Sequence, residues 1–225
     1  MPKTYFLRDT MIKKTNKKLK IGEVFNKNYK VMPFLLSVTL FGITNSIAQG
    51  IMDNYLAEII KISRIDLGIV EFFRELPGLF LIFILAWLYR HSARRNYMTA
   101  ILISIVGFIG LSFIGSSKWL VIAFLVMNSL GEHISMQVRQ SLSIEMANPN
   151  LSGNSLGIMQ GFRSTGQILG FLLVPILFLI LGYFGIGRAD ASSYKTIYFV
   201  AMLFAVVAYI FASRITELKP EDKAG

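Results

Sequence analysis

Charged and amide side chains interrupt several long apolar stretches of this 225-residue chain. Glu132 lies in one stretch and Arg163 in the next, on opposite sides of a turn at Asn148–Gly153. Counting residues outward from that turn puts Arg163 within side-chain reach of Glu132, so the sequence predicts an ion pair between them. Such a pair either belongs to a polar pathway or only fixes the orientation of two helices, and both interpretations stay open.

Four amide side chains accompany this predicted pair. Asn45 and Gln49 fall late in the first apolar stretch, while Asn128 and Gln167 fall near the middle of the fourth and fifth. Amides both donate and accept hydrogen bonds, which suits them to orient a small solute. The candidate substrate or ion pathway consists of Asn45, Gln49, Asn128, Glu132, Arg163 and Gln167.

Three more charges share one helix face in the second apolar stretch. Glu71, Arg74 and Glu75 are spaced at i, i+3 and i+4. A charge at the bilayer centre costs roughly 2.5–3.5 kcal/mol on insertion scales. Since Glu71 is only about 6 Å along the helix from Leu67, a partly wet position near the outer boundary is favoured. The Pro77–Gly78 pair that follows predicts a kink.

Catalytic and metal-binding chemistry find little support in the sequence. The chain has no cysteine and two histidines, His91 and His133, which lie in different segments. Neither a Gly-x-Ser-x-Gly nor a His-Glu-x-x-His pattern occurs. We therefore expect no enzyme activity, no metal site and no cofactor.

The elements that must position these residues are helices of membrane length. About 20 apolar residues span the hydrocarbon layer as a helix, and the chain is 54% hydrophobic. The sequence predicts an all-α polytopic membrane protein, with a basic segment at 1–30, a transmembrane domain at 31–213 and a short tail at 214–225. Segments one to six are Val31–Gly50, Leu67–Tyr89, Tyr97–Ser117, Trp119–Val138, Gly157–Gly182 and Thr196–Ser213.

The net charge of +10 could indicate a nucleic-acid partner, but its placement indicates topology. Sixteen Lys and Arg residues fall on the two termini and the second-to-third and fourth-to-fifth connections, against five on the other connections. This positive-inside pattern places both termini in the cytoplasm and the chain in the cell membrane. We expect the lipid bilayer, and no nucleic acid, as a partner.

Segments three and six carry no Asn, Gln, Glu, Arg or His, unlike the other four. Polar groups in hydrocarbon normally face a protein interior or a water-filled path. Segments three and six are therefore expected at the periphery, facing lipid, while the other four surround a water-filled region. Segment five also carries two small-xxx-small spacings, Gly157 with Gly161 and Gly166 with Gly170, that permit close helix contact.

In this order the segments resemble the N-terminal six-helix half of a major facilitator superfamily transporter. Leu76–Gly78 is similar to the Leu-Pro-Gly of the family's second helix. Tyr89–Arg95 resembles its second-to-third loop signature, with Arg94 and Arg95 matching and Arg90 at the signature's acidic position. The resemblance implies two inverted three-helix repeats, alternating access, and a conformational-switch loop formed by Arg90, Arg94 and Arg95.

Other features depart from the family pattern. The arginine of the fourth-helix motif falls on Met127, so proton coupling through that position has no counterpart. Family members usually have two six-helix halves, and we expect a second half as a partner, either a separate chain or another copy. The function implied is movement of a small-molecule solute across the membrane. The alternative is an inactive or truncated remnant that acts at most as a membrane scaffold.

Overall fold

A computed structural model describes residues 19–88, 90–114 and 117–216. These residues form helices and contain no strand, only an isolated bridge between Phe25 and Ala147. The basic residues before Leu19, the tail beyond Thr216, and Tyr89 lie outside the described ranges. The helices are α1 (Ile21–Val24), α2 (Val31–Asn54, continued by a π-helical turn at Tyr55–Ile59), α3 (Arg64–Leu79), α4 (Leu81–Leu88), α5 (Ala93–Phe113), α6 (Lys118–Glu145), α7 (Ser152–Tyr183) and α8 (Ala191–Ala212).

Five helices in the described ranges are long and apolar enough to cross a membrane: α2 with its π-helical turn, α5, α6, α7 and α8. Predicted segment two is instead divided between α3 and α4. The helix is interrupted at Phe80, whose ψ of 3° departs from helical values, three residues after Pro77. Proline has no N–H to donate and its ring crowds the preceding turn, which weakens a helix locally. The predicted kink is therefore a break, displaced toward the C-terminus.

Glycines allow α2 and α7 to pack closely. A Cβ added at Gly42 would lie 2.8 Å from the Arg163 carbonyl oxygen, and one at Gly170 would lie 2.6 Å from the Ile43 carbonyl oxygen. A Cβ at Gly166 would overlap the Thr39 carbonyl oxygen. Of the two predicted spacings, Gly166 with Gly170 is thus the one at this contact.

The other helix contacts complete the bundle. Helix α2 contacts α7 and α8, α6 contacts α5, α3 and α7, and α5 contacts α8. A Cβ added at Gly107 of α5 would lie 2.9 Å from the Phe124 carbonyl oxygen of α6. Helix α7 therefore contacts both α2, which carries Asn45, and α6, which carries Glu132.

Segments three and six, as α5 and α8, each present an apolar stripe at the surface. On α5 the exposed residues are Leu102, Val106, Ile109 and Phe113, and on α8 they are Phe199, Leu203, Val207 and Ile210. The buried fractions of the helices differ from the expectation that segments three and six are the most peripheral, however. In an 18-residue window, 61% of α5 but only 11% of α7 is buried, because α7 packs mainly through its glycine face and leaves the rest open.

One end of the bundle is closed by the N-terminal segment. Asn148, in the turn between α6 and α7, donates hydrogen bonds from Nδ2 to the carbonyl oxygens of Glu23 and Phe25. Val24 and Phe25 are buried against the bundle. Residues 19–30 of the basic segment therefore pack onto the helices at this end.

At the opposite end an exposed ion pair joins α3 to α6. The Lys118 ammonium lies 2.8 Å from the Asp66 carboxylate and, with the Ser63 hydroxyl, lowers the pKa of Asp66. A carboxyl whose pKa is lowered on folding adds stability above its unfolded pKa, about 3.9, and that stability is lost as the pH falls through the folded value. Asp66→Asn should therefore lower the melting temperature slightly at pH 7, with the difference vanishing once the pH falls below the folded pKa of Asp66. Lys118→Gln should behave in the same way, and a deficit that persists in acid would contradict this assignment.

Candidate functional site

Glu132 lies at the centre of a polar network that joins three helices. The Arg163 guanidinium of α7 donates to Oε1 of Glu132 across 3.0 Å, and Asn45 of α2 donates to Oε2. Arg163 also donates to Oε1 of Gln167 across 3.2 Å. The predicted Glu132–Arg163 pair is present, and four of the six candidate residues form one connected network.

A second guanidinium lies close to the same carboxylate. Arg139, two helical turns along α6, has Nη1 3.6 Å from Oε1 of Glu132 and donates to the Ser135 hydroxyl across 3.3 Å. The Arg139 side chain is 4% exposed, while those of Glu132 and Arg163 are 21% and 18% exposed. Two cations therefore share one carboxylate in a region largely shielded from solvent.

The glycine contact between α2 and α7 explains how this network assembles. Asn45 lies three residues after Gly42, whose missing side chain lets the backbone at Arg163 come close. Residues three apart share a helix face. The same close approach that packs the helices thus delivers Asn45 and Arg163 to Glu132.

A cavity of about 190 Å³ lies beside Glu132. Candidates Asn45, Gln49 and Asn128 line it with Glu132, whereas Arg163 and Gln167 do not. The Nδ2 atom of Asn128 is buried and has no hydrogen-bond partner among the described residues. Buried polar atoms are normally satisfied, so this amide offers a donor to a water molecule or a solute.

Arg74, Glu75 and His133 also line the cavity, although they were not among the predicted site residues. Arg74 lies 2.9 Å from Glu71 and 3.7 Å from Glu75, and Nε2 of His133 lies 3.5 Å from Glu75. The helix face that Arg74 and Glu75 share was visible in the sequence, but the approach of that face to His133 on α6 was not. Glu71 and Glu75 are 40% and 60% exposed at the surface of the described helices, and their position near the outer membrane boundary stays a prediction.

The approach of α3 to α6 depends on Gly78 and a short polar contact. A Cβ at Gly78 would lie 2.9 Å from Cε1 of His133. The Ser129 hydroxyl donates to the carbonyl oxygen of Arg74. Within the described ranges, no three His, Asp or Glu side chains converge closely enough to hold a metal ion.

The three arginines of the predicted switch loop lie apart from the cavity. Arg94 donates to the carbonyl oxygen of Ser213 at the end of α8, where a cation is favoured by the helix dipole. Arg90 and Arg95 are exposed. The loop is thus attached to α8 through Arg94, while Arg95 stays at the surface.

A bundle of membrane-length helices around a polar, charged cavity defines the class of polytopic membrane transport proteins. Residues 34–225 match the model of the Major Facilitator Superfamily, and the chain belongs to this family. Its members are transporters rather than enzymes. No curated protein sequence matches the chain closely enough to be named as a relative.

Proposed function

We propose that this chain is a secondary-transporter half that moves a small solute across the cell membrane by alternating access. The observation that carries the proposal is the Glu132 carboxylate, held by groups from α2, α6 and α7 beside a polar cavity. Charged groups within membrane segments are expensive and mark substrate or ion pathways. A binding partner at the open faces of α3 and α7 would be a second six-helix half.

The contact pattern supports two inverted three-helix repeats. If α2, α3–α4 and α5 correspond to α6, α7 and α8, then the contact of α2 with α7 corresponds to that of α6 with α3. Likewise the contact of α2 with α8 corresponds to that of α6 with α5. Repeats of this kind place the solute site near the bilayer midplane between the corresponding first helices. The positive-inside distribution of charge supports a cytoplasmic position for both termini.

The network suggests how solute binding is linked to helix movement. An anionic group of the solute would compete with Glu132 for Arg163, and protonation of Glu132 would weaken the same pair. Either event loosens the connection between α6 and α7 and favours the conformation in which the pair is broken. Asn45, Gln49 and Asn128, which line the cavity, orient the solute, while Gln167 accepts from Arg163 and holds that guanidinium in place. Arg94, bonded to the end of α8, holds the switch loop in one conformation.

The proposal is tested through Asn128, whose buried Nδ2 atom has no hydrogen-bond partner among the described residues. A solute would first be identified by thermal stabilisation of the purified chain and then used in vesicle uptake assays. Asn128→Ala should raise the KM for uptake about three- to tenfold, the value of one hydrogen bond, without lowering the melting temperature.

Asn96→Ala is the matched control for this test. The Asn96 amide donates to the Leu88 carbonyl oxygen across 2.8 Å, so its loss should lower the melting temperature. An unchanged KM in Asn128→Ala would remove that residue from the pathway. If no solute stabilises the chain and no uptake is measurable, the scaffold alternative is favoured instead.

A further inference from the structure

A second cavity, of about 330 Å³, lies on the outer surface of the bundle, away from Glu132. Its lining residues come from the end of α4, the first turns of α5 and the last turn of α8. They include Trp87, His91, Arg95, Leu102 and Tyr209. No acidic side chain is among the described residues that line this cavity. It therefore combines a cation with aromatic and apolar surface.

The polar part of this cavity is rigidly built. Asn96, which is 7% exposed, donates from Nδ2 to the carbonyl oxygen of Leu88 and, at 3.5 Å, to that of His91. The Trp87 ring lies beside the His91 ring, tilted by 60° with centroids 6.0 Å apart. The Ser92 hydroxyl accepts from the backbone N–H of Arg95 and caps α5. These contacts hold the connection between α4 and α5 in place and leave the Arg95 side chain exposed at the cavity.

Exposed apolar stripes on the contacting helices α5 and α8 continue from this cavity along the bundle, and the cavity with these two stripes is called the groove below. Exposed Leu102 lines the cavity and begins the α5 stripe, which runs beside the α8 stripe that contains Val207 and Leu203. From Arg95 to Ile109 the groove is about 21 Å long at 1.5 Å per residue. That length matches a charged headgroup followed by an acyl chain reaching the middle of a bilayer about 30 Å thick.

We propose that this groove binds one anionic phospholipid, with the phosphate at Arg95 and an acyl chain between α5 and α8. Charge complementarity selects the headgroup, because the cavity has a guanidinium and no carboxylate to neutralise it. The exposed Trp87 ring and the partly buried Tyr209 ring suit the boundary between headgroups and hydrocarbon. The cytoplasmic leaflet, where the positive-inside rule places this end, is rich in anionic lipid.

The two tryptophans of the chain allow a direct test. Trp119→Phe leaves Trp87 in the cavity as the only fluorescent indole, and Trp87→Phe leaves Trp119 at the opposite end. In zwitterionic bilayers, a brominated anionic phospholipid should quench Trp87 about two- to fivefold more than brominated phosphatidylcholine at equal mole fraction. Trp119 should show no such preference.

Substitutions distinguish a specific lipid site at Arg95 from general attraction of anionic lipid to the basic end of the bundle. Arg95→Gln should abolish the preference at Trp87, Arg95→Lys should retain most of it, and Lys27→Gln, an exposed cation at the same end, should leave it unchanged. Equal quenching by both lipids, or equal losses in Arg95→Gln and Lys27→Gln, would overturn the proposal. So would loss of the preference on adding inorganic phosphate, because the site would then bind a free anion.

Discussion

Replacing Glu132 with Gln is expected to lower the free energy of unfolding by about 3 kcal/mol. Glutamine keeps the shape but removes the one carboxylate that, among the described residues, lies beside both Arg139 and Arg163. Breaking a buried ion pair by removing one partner is strongly destabilising, because it leaves an uncompensated charge away from water. Equilibrium unfolding in mixed micelles measures the difference between variant and parent.

Glu71→Gln is the matched control for this prediction. Glu71 also pairs with an arginine, Arg74, but its side chain is 40% exposed, so the loss should stay below about 1 kcal/mol. Adding Arg139→Gln to Glu132→Gln should recover part of the stability, since the excess buried cation is then removed. A loss in Glu132→Gln no larger than in Glu71→Gln would mean that the network is effectively solvated.

A methyl group at Gly166 is expected to disrupt the contact between α2 and α7. The added Cβ would overlap the Thr39 carbonyl oxygen, and backbone cannot rotate away as a side chain can. Overpacking of this kind costs typically about 1–3 kcal/mol, and the helices must separate to relieve it. Gly166→Ala should therefore lower the melting temperature and weaken uptake, because the contact of α2 with α7 holds Asn45 beside the Glu132–Arg163 pair.

Gly161→Ala, on the same helix, is the matched control, and its expected effect on stability has the opposite sign. A Cβ at Gly161 meets nothing within 4 Å in the described structure. Alanine within a helix is favoured over glycine by about 0.5–1 kcal/mol, so this variant should be as stable as the parent or more so. Equal effects of the two substitutions would show that α2 and α7 are not in close contact.

The sequence predicted most of the helices, because the length of an apolar run is a local property. Five of the six predicted segments coincide with single helices, with ends displaced by a few residues. Segment two was predicted as one kinked span. Its break at Phe80 could not be placed from the sequence, since a proline marks a weak region and packing decides where the helix yields.

The candidate site was predicted in part. The Glu132–Arg163 pair followed from helix rise and a turn, both readable from residue numbers. The sequence did not reveal that Asn45 would join the pair, because that contact spans 87 positions. Adjacent residues point to different faces of a helix, yet Glu132 and His133 both line the cavity, since it extends from α2 to α3 around α6.

By itself, then, the sequence determined the number and length of the apolar segments, the end of the bundle that is basic, and the helices that carry charge. Only the tertiary structure decided which glycine spacing forms a helix contact and which polar side chains meet. Two glycine pairs on one helix look alike in a sequence. Their difference depends on where another backbone approaches, which is set by all the helices packing at once.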